Sequence, residues 1–167
     1  MKQMSIPTEE FNKIVEKTPI PVVDVMVRRR FGARYKYLLG RRTRKPDEGK
    51  WWLIGGVVRR GESPAQAAVR KVREEAGLDV EILAVLDVYM HHYRNGYHGL
   101  DSYMQATLLL AEAVWGTLRR NLENSALIWV DINSLPEGTA EGCRKTFDIL
   151  KGTVKINGGF LLPEGET

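Results

Sequence analysis

The stretch that decides the fold is GVVRRGESPAQAAVRKVREEAGL, residues 56–78. Ser63 is a good N-cap, Pro64 suits the first helical position, and Gln66 completes a capping box. Gly77 supplies the left-handed residue that ends a helix. At about 100° per residue, the predicted helix has an apolar face (Ala65, Ala68, Val69, Val72, Ala76) and a charged stripe (Arg70, Lys71, Glu74, Glu75). The segment therefore predicts a glycine-rich turn followed by an amphipathic helix that carries clustered carboxylates.

The segments around this helix favour strands. Beta-branched runs predict strands over Val22–Val27 and Tyr35–Leu39, and Arg28–Gly32 between them is expected to form a hairpin turn. Further strands are predicted over residues 50–58, 80–93, 102–113 and 127–131, and helices over residues 8–16 and 139–150. Hairpin-connected strands with interspersed helices indicate an α/β (α+β) fold, in which a mixed sheet is sandwiched by helices.

Composition narrows the class of protein. The 167 residues suit one domain spanning residues 1–167, and no apolar run is long enough to cross a bilayer. Cys143 is the single cysteine, which excludes an internal disulfide and a CxxC zinc site and favours a cytoplasmic location. The net charge of +4 suits polyanionic ligands. Nucleic acid is not the expected partner, because no recognition motif accompanies the charge.

The carboxylates of the motif helix are candidates for metal binding. Glu62 precedes the helix, and Glu74 and Glu75 lie in its last turn beside a glycine-rich segment. Oxygen ligands of this kind suit Mg²⁺. The alternative is that Arg70–Glu74 and Lys71–Glu75 are ordinary i,i+4 ion pairs on the surface.

The spacing in this stretch resembles the signature of the Nudix hydrolases, G-x5-E-x7-R-E-U-x-E-E-x-G-U, where U is a bulky aliphatic residue. The matching residues are Gly56, Glu62, Arg70, Val72, Glu74, Glu75, Gly77 and Leu78. One fixed position differs, because Lys71 stands where the signature has glutamate. The resemblance implies an α-β-α sandwich and hydrolysis of a nucleoside diphosphate linked to another group.

The resemblance also implies a metal site and its supporting residues. Mg²⁺, or Mn²⁺, would be bound by the carbonyl of Gly55 and by Glu74 and Glu75, with Arg70 orienting the glutamates and Glu62 supporting the site. In the family, the glutamate replaced here by Lys71 often bridges metals or acts as the base for attack on phosphorus. Lys71 is expected to pair with Glu75 instead, so ordinary pyrophosphatase chemistry is in doubt.

A longer stretch resembles the GDP-mannose mannosyl hydrolases, a Nudix subfamily. The similar segments are Thr18-Pro19, Val23-Asp24, residues 38–43, Pro46, residues 49–52, Gly55-Gly56, His91, Tyr93 and residues 99–101. The subfamily lacks the same motif glutamate and cleaves the bond between sugar C1 and oxygen, which releases GDP. The resemblance implies a small nucleotide-sugar substrate and a homodimer.

Residue roles follow from this second resemblance. Arg42 would stabilise the departing diphosphate, with Arg41 beside it. His91 would contact the leaving group, and Asp24 would contact the sugar or the partner chain. Glu123 takes the place of a metal-binding glutamine and would be the better ligand for Mg²⁺.

Two departures from the subfamily affect the expected mechanism. Val57 replaces an arginine that holds the sugar phosphate in the subfamily. Arg59 and Arg60 are the candidates to take over this contact, and on an extended strand only Arg59 lies on the same face as Val57. Asn124 replaces the general-base histidine, and asparagine is no base. Glu123, His92 and His98 are the alternatives for the base, and the sequence does not choose among them.

Three functions therefore remain open. The first is a nucleotide-sugar hydrolase that cleaves the C–O bond, and the second is a pyrophosphatase acting on a nucleoside diphosphate derivative. The third is a Nudix module that binds a nucleotide sugar or nucleic acid without catalysis, as Lys71, Val57 and Asn124 together suggest.

Overall fold

A computed structural model describes residues 6–94 and 96–152. The elements in chain order are α1 (Thr8–Val15), β1 (Ile20–Phe31), β2 (Arg34–Arg42), β3 (Trp51–Trp52), β4 (Ile54–Val57), α2 (Pro64–Ala76), β5 (Leu78–Tyr93), β6 (Ser102–Gly116), β7 (Asn124–Val130) and α3 (Glu141–Leu150). A short 3-10 turn spans Tyr97–Gly99. In this described part of the chain, no helix is long and apolar enough to cross a membrane.

The strands form one mixed sheet of seven strands. Its main path runs β3-β2-β1-β6-β5, with β4 paired to β1 and β7 paired to β2. β1 and β6 are parallel, and every other strand pair is antiparallel. The pairing of β1 with β4 places Asp24 opposite Gly55 and Val23 opposite Gly56, which brings the Gly-Gly turn beside the middle of the sheet.

Helices cover the two faces of the sheet. Successive residues of a strand point to opposite faces, so β1 contacts the helices on both sides. Val23, Val25 and Val27 of β1 pack with the apolar residues of α2. Met26, between them, belongs to the cluster that contains Phe147 of α3. This arrangement confirms the predicted α-β-α sandwich.

The predicted ends of α2 are confirmed, whereas its buried face is wider than predicted. The Ser63 side chain accepts a hydrogen bond from the Gln66 backbone, the reciprocal bond is present, and Gly77 is left-handed (φ 69°). Lys71 and Glu75 are buried together with the alanines of the helix. The alternative of an ordinary surface ion pair is therefore wrong for Lys71–Glu75, because a polar cavity adjoins this side of α2.

Two strand boundaries also differ from the sequence prediction. The first hairpin turns at Gly32-Ala33, and Arg28, Arg29 and Arg30 belong to β1, paired with β2. Arg28 is stable inside a strand because Glu112 of the parallel β6 accepts its hydrogen bonds at 3.0 and 3.1 Å. Residues 50–58 form two short strands, β3 and β4, where one was expected.

Candidate functional site

A cavity of about 530 Å³ opens beside the Gly-Gly turn. Its walls come from α1, from all seven strands, from the end of α2, and from the 3-10 turn and the loops after β2 and before β7. The polar and aromatic lining residues are Phe11, Asp24, Arg42, Arg44, Lys45, Trp52, Glu75, His91, Tyr93, Tyr97, His98, Glu123 and Asn124. The residues at 55 and 56 of the glycine turn also line it. Residues that are distant in sequence therefore share one concave site, the usual form of a small-molecule site.

The end of the cavity beside α2 contains a buried ion cluster. The Nζ atom of Lys71 lies 2.6 Å from Glu75 Oε1 and 3.1 and 3.2 Å from the two oxygens of Glu123. Asn124 donates a 2.8 Å hydrogen bond to the other Glu75 oxygen. Burial lowers the pKa of Lys71, but attraction by Glu75 and then Glu123 outweighs it, so the pKa is raised above its ordinary value. The predicted Lys71–Glu75 pair is confirmed, and Glu123 is a second partner that the sequence did not predict.

Two glycines provide the space for this cluster. A Cβ on Gly40 would lie 2.2 Å from Asn124 Oδ1, so only glycine lets the amide reach Glu75. A Cβ on Gly56 would lie 2.8 Å from Lys71 Cε, and its φ of 151° also favours glycine. The first motif glycine therefore accommodates the lysine stem above the turn.

Glu74 points away from the cavity, contrary to the role implied for it in metal binding. It accepts a 3.1 Å hydrogen bond from Arg70 and lies 3.5 Å from Arg59, with 40% of its side chain exposed. Arg70 also donates two hydrogen bonds to Glu62, at 2.6 and 2.9 Å, and one to the Val57 carbonyl at 3.1 Å. These contacts join α2 to the preceding turn, and they give Arg59 a partner outside the cavity.

Asp24 is the centre of a second buried polar group, on the α3 side of the sheet. Its carboxylate accepts hydrogen bonds from Tyr89 Oη at 2.7 Å and Trp52 Nε1 at 3.2 Å, and His91 Nε2 lies 3.5 Å away. Burial opposes ionisation, but these three contacts, led by His91, outweigh it and lower the pKa of Asp24. His91 Nε2 is buried without a hydrogen-bond partner among the described residues, so the nearby Asp24 carboxylate attracts the imidazole through charge and not through a hydrogen bond.

Basic residues of the loop after β2 form the opposite wall. Arg42 Nε donates a 2.7 Å hydrogen bond to the Pro46 carbonyl, and Arg44 and Lys45 also line the cavity. Arg41 points the other way and donates to the Gly49 carbonyl at 2.9 Å, outside the cavity. Sequence reasoning missed Arg44 and Lys45, although the dense basic run Arg41–Lys45 was a signal for them.

An aromatic group closes the outer end of the cavity. The Phe11 ring of α1 meets the Tyr97 ring edge-on at 6.1 Å and the His98 ring at 6.3 Å. Tyr93 is stacked on His91 at 5.5 Å. His98 is held by Asn12, whose Oδ1 lies 2.7 Å from Nδ1. The sequence carried no signal for this group, because its members come from separate elements.

The remaining candidates lie outside the cavity or in its apolar wall. His92 stacks on Tyr103 at 4.4 Å, outside the lining, so it is not placed to act as the base. Trp52 is buried in the wall, while Trp51 packs against the α3-side core. Cys143 is a buried thiol whose pKa is raised by burial and by Asp24, as expected for an unreactive core cysteine.

The cavity offers oxygen donors to a divalent cation, but Lys71 already neutralises part of their charge. Among the described residues, no three His, Cys, Asp or Glu side chains form a group that could hold a metal. Glu75 and Glu123 are the carboxylates at this end, beside Gly55. Their oxygens are of the type that Mg²⁺ or Mn²⁺ prefers, but both carboxylates are paired with Lys71.

The chain belongs to the NUDIX domain family, whose pattern matches residues 18–148. This agrees with the mixed sheet between helices and with the capped motif helix. The family acts on nucleotide-linked small molecules and generally uses divalent metals such as Mg²⁺ or Mn²⁺.

Two curated relatives and one solved structure illustrate what the chain is similar to. The chain is 36% identical over 98 residues to the low-salt glycan biosynthesis protein Agl8 of Haloferax volcanii, covering 58% of this chain and 60% of Agl8. It is 28% identical to the ADP-ribose pyrophosphatase of Methanocaldococcus jannaschii, covering 61% and 58% of the two chains. A solved MutT NUDIX hydrolase from Burkholderia pseudomallei matches with a TM-score of 0.66 and 26% identity, covering 79% and 98%. The aligned segment therefore spans less than two thirds of the two curated relatives named here.

Proposed function

We propose that the protein hydrolyses a nucleoside diphosphate linked to a sugar, with GDP-mannose as the first substrate to test, and releases GDP and the sugar. One observation carries this proposal. The residues suited to proton exchange, Asp24 and His91, lie on the α3 side of the cavity, while the carboxylates beside α2 are occupied by Lys71. Proton exchange is thus provided away from the motif helix, on the side where we place the sugar.

The diphosphate is assigned to the basic wall. The Pro46 carbonyl holds Arg42 through its Nε atom, which leaves the two terminal nitrogens as the part of the guanidinium that binds two phosphate oxygens. Arg44 and Lys45 add positive charge on the same side. Charge that develops on the departing diphosphate would strengthen these contacts as the bond to the sugar breaks.

The aromatic end suits the nucleobase. Phe11, Tyr93 and Tyr97 offer ring faces and edges there, and a planar base can pack against them. His98, held by Asn12, offers a polar edge. We place the sugar beside Asp24 and His91, on whose ring Tyr93 stacks at 5.5 Å.

His91 is the residue we assign to proton exchange with water or with the sugar. Asn124 cannot accept the proton, and Glu123 is paired with Lys71. We assign Asp24 as a positioning residue, because its carboxylate lies 3.5 Å from His91 Nε2 and has a lowered pKa. General acid–base groups of this kind contribute about 10²- to 10⁴-fold to a rate.

A divalent ion, when bound, would supply charge neutralisation to the leaving diphosphate. The Gly55 carbonyl, Glu75 and Glu123 would hold it. Glu74 keeps its sequence-based assignment only if its ion pairs with Arg70 and Arg59 open. Gly55, Glu75 and Glu123 would in this way orient the diphosphate against Arg42.

A pyrophosphatase is the second candidate function, because one relative is named ADP-ribose pyrophosphatase and a structural neighbour is named UDP-X diphosphatase. The glycan-biosynthesis relative supports the sugar-nucleotide proposal. Separation of the products distinguishes the two. GDP from GDP-mannose supports the proposed function, whereas GMP with mannose phosphate supports the pyrophosphatase.

A binding module without catalysis predicts that the nucleotide sugar binds and stays intact. The homodimer is a proposal that rests on the subfamily resemblance alone, and sedimentation velocity of the full chain tests it.

A further inference from the structure

Lys71 lies at a position in the motif where its positive charge changes the net charge of the cavity beside α2. Its side chain is 9% exposed, and Glu75, one helical turn later, is 6% exposed. A buried lysine is expensive to desolvate unless carboxylates surround it. Here both Glu75 and Glu123 do so, from two different elements of the fold.

The charge of the cluster is already nearly balanced. Lys71, Glu75 and Glu123 sum to one negative charge, since one positive and two negative groups are present. A glutamate in place of the lysine would give three negative charges. With lysine in place of glutamate, the cluster therefore has two fewer negative charges to attract a divalent ion.

The space of the cluster is also filled. The lysine stem packs above Gly56, where an added Cβ would come within 2.8 Å of Cε and 3.3 Å of Nζ. The neighbouring Gly55 faces the same cavity. Asn124 fixes the far oxygen of Glu75 at 2.8 Å. An ion approaching Glu75 would therefore have to displace the ammonium.

We propose that the Lys71 ammonium is the resident cation of this cavity and takes the place of a divalent ion in the free protein. It holds Glu75 and Glu123 in position without metal. The consequence is that the free protein binds divalent ions weakly. An ion can enter only when the ammonium moves away from the two carboxylates.

Binding of Mn²⁺ without nucleotide tests this inference. The free ion is measured by electron paramagnetic resonance during titration of the parent, Lys71→Met and Lys71→Glu. We expect Lys71→Glu to bind Mn²⁺ at least about tenfold more tightly than the parent, with Lys71→Met between them. Equal affinity of the parent and Lys71→Glu would overturn the inference.

Lys145→Glu is the matched control. Lys145 pairs with Glu141 at 2.9 Å with the same i,i+4 spacing, but both side chains are exposed on α3. The Lys145→Glu variant should therefore bind Mn²⁺ with the affinity of the parent. A gain as large as that of Lys71→Glu would mean that any added helix charge attracts the ion, which would contradict a specific role for Lys71.

The parent alone keeps the inference testable if the variants do not fold. A dissociation constant for Mn²⁺ of about 1 mM or weaker supports it, and one below about 0.1 mM contradicts it. An intermediate value is decided by ¹⁵N resonance of the Lys71 ammonium. This measurement uses Mg²⁺, because paramagnetic Mn²⁺ would itself broaden the signal. A signal that persists through the Mg²⁺ titration supports the inference, and one lost at low Mg²⁺ contradicts it. This readout is independent of the proposed reaction, which product analysis tests.

Discussion

Replacing Lys71 by methionine keeps most of the side-chain volume and leaves Glu75 buried without its ion-pair partner. Breaking a buried pair in this way costs about 3–5 kcal/mol if the remaining charge persists. Glu75 can instead take up a proton. The ordinary pKa of Glu75 is 4.5, so protonating it at pH 7 costs 7 − 4.5 = 2.5 pH units at ~1.4 kcal/mol each, which limits the loss of stability to about 3.5 kcal/mol.

The same reasoning gives the sign of the pH dependence. Burial raises the pKa of Glu75 in the parent, and Lys71 is the group that most opposes this. Removing Lys71 raises the folded-state pKa further above its unfolded value, so the cost grows as the pH rises above 4.5. At pH 5 the difference from the ordinary pKa is only 0.5 units, so protonating Glu75 costs less than about 1 kcal/mol. Lys71→Met should therefore lose up to about 3.5 kcal/mol of unfolding free energy at pH 7 and under about 1 kcal/mol at pH 5.

Urea denaturation followed by tryptophan fluorescence, in EDTA, measures this difference against the parent at both pH values. Lys145→Met removes an exposed pair of the same spacing and should leave the unfolding midpoint unchanged. An equal loss for Lys71→Met at pH 5 and pH 7 would show that packing, and not charge, stabilises this part of the cavity.

Three further substitutions test the cavity. Arg42→Lys keeps the charge but removes the fork, and should lower kcat/KM for the nucleotide sugar by about 10- to 100-fold; parental turnover would show that any nearby charge is sufficient. Asp24→Asn should lower kcat by about 10²-fold or more, in steady-state assays. Because the folded-state pKa of Asp24 is below 3.8, its ionisation stabilises the parent above that pH, and the stability difference from Asp24→Asn should disappear as the pH falls below it. Gly40→Ala should cost about 1–3 kcal/mol in urea denaturation by displacing Asn124 from Glu75; a cost undiminished in the Asn124→Ala background would refute that cause.

The motif helix was predictable because its information is local. Capping by Ser63 and Gln66 and termination at Gly77 depend on neighbours a few residues away, and the structure confirms them. The ends of β1 were not predictable in this way. Arg28 is held in the strand by Glu112, which lies 84 residues further along the chain.

The cavity shows the same division between local and distant signals. The Lys71–Glu75 pair has helical spacing and was predicted, whereas Glu123 reaches Lys71 from the loop before β7. The wall formed by Arg44 and Lys45, and the contact of Phe11 with Tyr97, depend on how separate elements pack. The outward position of Glu74 follows from Arg70 and Arg59, which compete for its carboxylate.

Hydrolysis of GDP-mannose in ¹⁸O-labelled water tests the proposed reaction most directly. Attack at the sugar carbon transfers the oxygen of water to mannose, whereas attack at phosphorus transfers it to a phosphate. Mass spectrometry of the products should find the label in mannose and none in GDP. Label in a phosphate product would contradict the assignment of chemistry to the Asp24–His91 side of the cavity.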